Sequence, residues 1–190
     1  MLVLDHADKF DARFLARAAS AAEEGRAEIS GRKGRLIGCP IWLMAAVTTD
    51  HSCPAVCKKQ LKAMEPIGKA CDLHVEAPTV PSREMTGTRP GTETARIREV
   101  VIRAREVQRV RGSLNATDPN LGASVASSLS DSSKLLMRRA TSELGLNGRA
   151  TDRIMRIART IADMDGSDNV AELHLAEAIQ YRLLDRAPWA

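Results

Sequence analysis

NGRATDRIMRIARTIADMDGSDNVAELHLAEAIQYRLLDR, residues Asn147–Arg186, carries a strong helical periodicity. It predicts two amphipathic helices. In the first, Ile154, Ile157, Ala158, Ile161 and Ala162 recur at helical spacing and share one face. Arg149, Arg153 and Arg156 recur at steps of four and three and share another. A rigid rod with an anion-seeking edge follows, set against the plainer expectation of a solvated basic face on a bundle helix. Gly145 and Gly166 are placed to end helices in the left-handed conformation. Three helices are therefore expected at about 131–144, 149–165 and 170–184. His174, in the last of them, reads as a surface or packing residue.

Upstream, Gly112–Ser130 is rich in Gly, Ser, Asn and Asp and predicts a loop. Thr92 can cap a long helix running to about Arg111, with Ile97, Val101 and Ala104 on one face. Pro78, Pro81, Gly87, Pro90 and Gly91 mark a linker. Nearer the start, Leu2–Leu4 is a short apolar run ending in Asp5. It reads as a buried parallel strand with an acid at its C-terminal end, where open α/β sheets collect ligands. Asp8 or Asp11 can cap a helix to about Glu24. Glu28–Cys39 predicts a hairpin with a basic tip (Arg32, Lys33, Arg35), Ile41–Val47 a second strand and Cys71–Glu76 a third. His51–Lys69, with Pro54, Pro66 and Gly68, reads as irregular.

Composition bounds the function classes. Apolar residues make up 44% of the 190, with only five aromatics, so the cores must be aliphatic. Lys plus Arg exceeds Asp plus Glu by 28 to 24, a net charge of +4 that permits a nucleotide or nucleic-acid partner without demanding one. No apolar run is long enough to span a bilayer, and no secretion signal opens the chain. The four cysteines, Cys39, Cys53, Cys57 and Cys71, are not spaced as a disulfide framework, which favours a reduced, cytoplasmic setting. His51, Cys53, Cys57, Cys71 and His74 raise the question of zinc. His-x-Cys-x-x-x-Cys lacks the paired knuckles of structural sites, so a plain thiol cluster is expected.

The same residues carry a family resemblance. NGRATDRIMRIARTIADMDGSD and LAEAIQYRLLDR resemble the C-terminal lid of the magnesium-chelatase-like AAA+ ATPases of the YifB/ComM competence-protein family. EVQRVRGSLNATDPN is similar to the link into that lid. DLHVEAPTVPSREMTG resembles the last core strand and its turn, AEEGRAEISGRKGRLIGCPIWLMAAVT the pre-sensor hairpin and fourth strand, and MLVLDHADKFDARFLARA the Walker-B strand and following helix. The implied fold is part of an α/β AAA+ core (strands 3, 4 and 5 with the hairpin) followed by an all-α lid bundle, mainly helical overall. The implied division is 1–80 core, 81–125 linker with a long helix, and 126–190 lid.

The resemblance also implies a chemistry. Asp5 falls where the Walker-B aspartate holds the Mg²⁺ shell through water. His6 stands where a glutamate would activate the attacking water; imidazole can take a proton near neutral pH. Thr48 replaces the sensor-1 asparagine. The arginine finger maps to Ala70, beside Lys69, which lacks the planar fork. Arg149 maps to the sensor-2 arginine, with Arg153 one turn on. Arg32, Lys33 and Arg35 correspond to a hairpin that touches DNA in related rings. The phosphate cradle, G-x-x-x-x-G-K-[ST], occurs nowhere in the sequence; GRKG at Gly31 has the wrong spacing. ATP and Mg²⁺ are thus implied by the family, while the chain alone is expected to be inactive. In this fold class the first strand lies between the fourth and fifth, and the chain opens at the strand that should be third. Three readings follow: a truncated AAA+ ATPase of this family, whose parent activity is ATP-driven DNA branch migration by a ring; a module completing a ring with a P-loop-bearing partner; or a small basic DNA-binding protein.

Overall fold

The computed structural model describes residues 1–29, 35–38, 42–49, 54–86, 91–182 and 185. The chain divides into two compact units, Met1–His74 and Val75–Leu183.

In the first unit, β1 (Leu2–Leu4) pairs in parallel with β4 (Leu43–Ala45), Val3 opposite Met44. Between them come a 3-10 turn (Ala7–Lys9), α1 (Ala12–Glu24) and the antiparallel pair β2 (Arg26–Ile29) and β3 (Arg35–Gly38). The expected hairpin forms; its tip, with Arg32 and Lys33, lies outside the described residues. Asp11 caps α1, its carboxylate accepting from the N–H groups of Arg13 and Phe14 at 2.8 and 3.4 Å. Leu4, Ala7, Leu15, Ala18, Ala19, Met64 and Ile67 form the core.

Two expectations fail in this unit. The stretch read as irregular holds α2 (Pro54–Ala63) and α3 (Glu65–Ala70). Both prolines sit in a first turn, where the missing N–H costs nothing, so they start helices rather than break them. Cys71–Glu76 forms no strand. Its alternation is weak, and a segment becomes a strand only when a neighbour accepts its ladder; none of the described strands lies beside it.

The second unit is helical: α4 (Ser82–Met85), α5 (Thr94–Arg111), α6 (Leu121–Ser128), α7 (Asp131–Leu144), α8 (Gly148–Met164) and α9 (Glu172–Gln180). The loop expected at 112–130 is a loop only to Asn120. LGASVASS has apolar residues at helical spacing and buries Leu121 and Val125, which overrides its small polar composition. The last helix is shorter than expected. α8 is the hub, packing on α5, α6 and α9. Ile154, Ala158 and Ala162 are fully buried along the predicted face, while Ile157 and Ile161 flank it. Asn147 caps its start, Oδ1 accepting from the Ala150 N–H at 2.9 Å. At its end Gly166, at φ +71°, lets Ser167 donate to the Ala162 carbonyl at 2.8 Å and Gly166 to Asp163 at 3.3 Å. This double bond is the Schellman arrangement that satisfies a helix's last carbonyls.

Candidate functional site

The first group of interest lies where β1 and β4 end. Being parallel neighbours, they bring Asp5, His6 and Thr48 to one edge of the sheet. The Ala46 N–H donates to Leu4 and the Ala7 N–H to Ala46, at 2.9 and 2.8 Å, locking the two loops together. Asp5 is exposed, and its Oδ1 accepts from the His6 N–H at 2.9 Å. His6 is held left-handed at φ 48°, uncommon for a side-chain-bearing residue, which turns the chain sharply from strand into the 3-10 turn. The exposed Thr48 offers its carbonyl to Gln60 Nε2 at 3.0 Å, and the same amide reaches Asp8 Oδ2 at 3.3 Å. Burial pushes the Asp8 carboxyl up, but hydrogen bonds from Lys9 and Gln60 and the Lys9 charge outweigh it, leaving it below the ordinary aspartate range. Sequence reasoning missed Asp8 and Gln60 as partners, because a contact 52 residues apart leaves no local signal.

Lys69, next to Ala70, pairs with Glu65 one turn back in α3. Cys57 and Cys71 are free thiols, and His74 Nε2 lies 2.7 Å from the Gly68 carbonyl. Among the described residues no group of three or more metal-ligating side chains gathers; His51, Cys53 and Cys39 lie outside them.

The second group is the start of α8. Arg149, two residues past the Asn147 cap, is exposed, and Arg153 is half-buried. Both interact within the protein. Arg156, the third arginine of the expected anion-seeking edge, points elsewhere. Its Nε donates to Asp152 at 2.7 Å, and its Nη1 to the carbonyls of Asn115 and Asp118 at 2.9 and 2.7 Å. It clamps the loop between α5 and α6, so the edge is reduced to Arg149 and Arg153.

Beneath that clamp lies a buried polar network. Asp163, with no exposed side-chain surface, accepts from Arg111, from Arg159 Nε at 2.9 Å and from Asn115 Nδ2 at 2.8 Å. Asn115 also donates to Thr160 at 3.0 Å and accepts from Arg111 at 3.0 Å. Arg159 goes on to donate to the Asp168 carbonyl at 2.7 Å and to that of Ser167. Such charge-assisted bonds are shorter and stronger than neutral ones. The network ties α5, the 112–120 loop and the end of α8 into one frame. Asp118 is held below the ordinary carboxylate range by the Asn120 N–H, the Ser113 hydroxyl and the Arg156 charge, which outweigh desolvation. His174 is buried rather than superficial: Nδ1 accepts from the Ala171 N–H at 3.1 Å, and Nε2 faces Asp165 at 3.2 Å.

This helical frame coincides with a known family. The family model for the magnesium chelatase subunit ChlI C-terminal region matches residues 91–182, from just before α5 to just after α9. Competence protein ComM of Haemophilus influenzae is 30% identical over 201 residues, an alignment covering 98% of this chain and 39% of ComM. The chain belongs to the ComM/YifB magnesium-chelatase-like family. The uncharacterized protein YifB of Escherichia coli is 36% identical over 117 residues, 60% of this chain and 23% of YifB. YifB of Salmonella typhimurium is 49% identical over 43 residues. The chain spans about two fifths of the length of ComM. No helix of the described residues is long and apolar enough to cross a membrane.

Proposed function

We propose that the chain is the sensor and lid portion of a ComM/YifB-type AAA+ ATPase and serves a nucleotide whose phosphate cradle lies on other polypeptide sequence. That sequence is either a longer form of this chain or a relative in the same ring. The observation that carries the reading is the start of α8. Arg149 stands at the capped N-terminus of a helix whose far end Asp163 braces, within the segment that the family model matches. In this reading Arg149 and Arg153 of the helical unit hold phosphate oxygens; within the first unit, Asp5 at the strand end it shares with Thr48 is taken separately as a candidate for an Mg²⁺ shell. The residues of each unit fit that role in part: two guanidinium groups in the helical unit suit phosphate oxygens, and in the first unit His6 replaces the acid expected beside Asp5. ATP bound there supplies a transferable γ-phosphoryl group, and the chain's own residues orient and neutralise its oxygens. The domain division at about 80 and 125, a cytoplasmic setting and a hexameric DNA-acting assembly belong to the same proposal.

A second reading, an interaction module that rebuilds a ring on a P-loop-bearing partner, is favoured by the far face of the small sheet. Val3 and Met44 stand side by side and half exposed there. Parallel sheets ordinarily have both faces covered.

The test is a fluorescent ATP titration of the purified chain, alone and mixed with the portion of ComM that the chain does not match. The proposal expects no micromolar affinity alone, and binding in the mixture that Arg149→Ala weakens. Micromolar binding and turnover by the isolated chain would refute it.

A further inference from the structure

We propose that the groove between α6, α7 and α8 is a docking site for an acidic amphipathic helix of a partner polypeptide. It lies within the helical unit and does not depend on the nucleotide reading. The groove holds about 390 Å³, within the range of ligand-binding clefts. Leu129, Met137 and Met155, members of the helical core, line its apolar floor together with Ala126. Methionine is unbranched and polarisable, so two thioether side chains adapt to apolar groups of different shape. The polar wall belongs to α7. Lys134, Arg138 and Ser142 follow one another there at steps of four, about 6 Å apart along the helix. Thr141 lines the groove too, but its hydroxyl already donates to the Met137 carbonyl at 2.8 Å.

The charge on that wall is largely uncompensated. Arg138 is exposed and makes no hydrogen bond or ion pair among the described residues. Lys134 faces Asp131 at 3.8 Å, and that carboxylate is fully exposed. A solvated pair of this kind holds its lysine weakly, so the amine is free to exchange partners. Leu135 and Arg139 stand further round α7 and do not line the groove. An apolar floor beside two cations and a hydroxyl is complementary to the inverse pattern: apolar side chains along one line, carboxylates one turn apart along the next. A helix with glutamates at i and i+4 and leucines at i+1, i+5 and i+8 presents it, its carboxylates at the same spacing of about 6 Å. Its apolar side chains would enter the groove, as amphipathic helices enter apolar grooves elsewhere. A phosphate backbone has nothing to set on the methionines. A bilayer surface takes an apolar face that projects, not a cleft between helices.

The experiment is fluorescence anisotropy of a fluorescein-labelled helical peptide of that pattern, titrated with the full chain. Saturable binding is expected, at least about tenfold tighter than for the same peptide with glutamine in place of glutamate. Lys134→Glu/Arg138→Glu, which leaves the core residues untouched, should weaken the acidic peptide by about tenfold or more and bind a peptide with lysines at those positions instead. A second readout uses the unaltered protein, with isotope-labelled methionine methyl groups followed by NMR. The Met137 and Met155 signals should shift on titration, while those of Met44 and Met164, which do not line the groove, should stay in place. Absence of saturable binding, equal affinity for the glutamate and glutamine peptides, or methyl shifts confined to sites away from the groove would each overturn the proposal. So would self-association of the chain that Lys134→Glu/Arg138→Glu abolishes, because it would assign the groove to a second copy.

Discussion

Asp163 is the residue on which the helical unit depends most, because one fully buried carboxylate satisfies two arginines and an asparagine. Removing a single partner of a buried pair strands the others' charge, at a cost of about 3–5 kcal/mol. Asp163→Ala should therefore lower the thermal midpoint sharply. Arg109→Ala, which breaks only the exposed pair with Glu106, should shift stability by less than about 0.5 kcal/mol. Asp118 and Asp8 set an acid limit. Both carboxyls lie below their ordinary value in the folded chain, so the unfolded chain binds their protons more readily. Their stabilisation is fully present above the ordinary aspartate range and is lost as pH falls through the lowered folded values. An acid titration followed by circular dichroism should show Asp118→Asn flattening this dependence, and an unaltered acid limb would count against the assignment. None of this was legible in the sequence. Asn115 and Asp163 lie 48 residues apart, and an aspartate on a helix otherwise reads as solvated. Arg156 misled for the same reason: periodicity placed it beside Arg149 and Arg153, but not the loop carbonyls that occupy it.

At the scale of elements, the sequence was informative where the apolar period was strong and caps were explicit. The buried face of α8, the Asp11 cap of α1 and the glycines after α7 and α8 are all found as read. It misled where an element depends on context. Pro54 and Pro66 begin helices because each occupies a first turn, and α6 exists because Leu121 and Val125 find the α8 face. The approach of α6 to α8 has its own requirement. A Cβ on Gly122 would lie 1.9 Å from Asp152 Oδ1, the carboxylate that pairs with Arg156. Gly122→Ala should displace Asp152, loosen the Arg156 clamp and cost about 1–3 kcal/mol, measured by denaturant unfolding. A neutral result would mean that the Asp152 side chain swings aside without penalty.

Over the whole molecule, two cores of unequal depth follow one another along the sequence. The helical unit buries a continuous aliphatic cluster from Leu121 to Ala178. Among the described residues the first unit holds a two-stranded parallel ladder and a separate two-stranded hairpin, and fewer than three strands rarely stand alone. Native-state hydrogen exchange should therefore find the slowest amides in α8, around Ile154–Ala162, and faster exchange in β1 and β4. Slow exchange throughout the ladder would show the small sheet to be complete as it stands. The resemblance anticipated the family and the mainly helical fold; it could not say what the small sheet packs against. The most direct measurement is ATP turnover by the chain combined with the portion of ComM that the chain does not match, with and without Arg149→Ala. The account predicts turnover only in the mixture and a fall of about 10²-fold on removing that guanidinium. Turnover by the chain alone, or a mixture indifferent to Arg149, would contradict it.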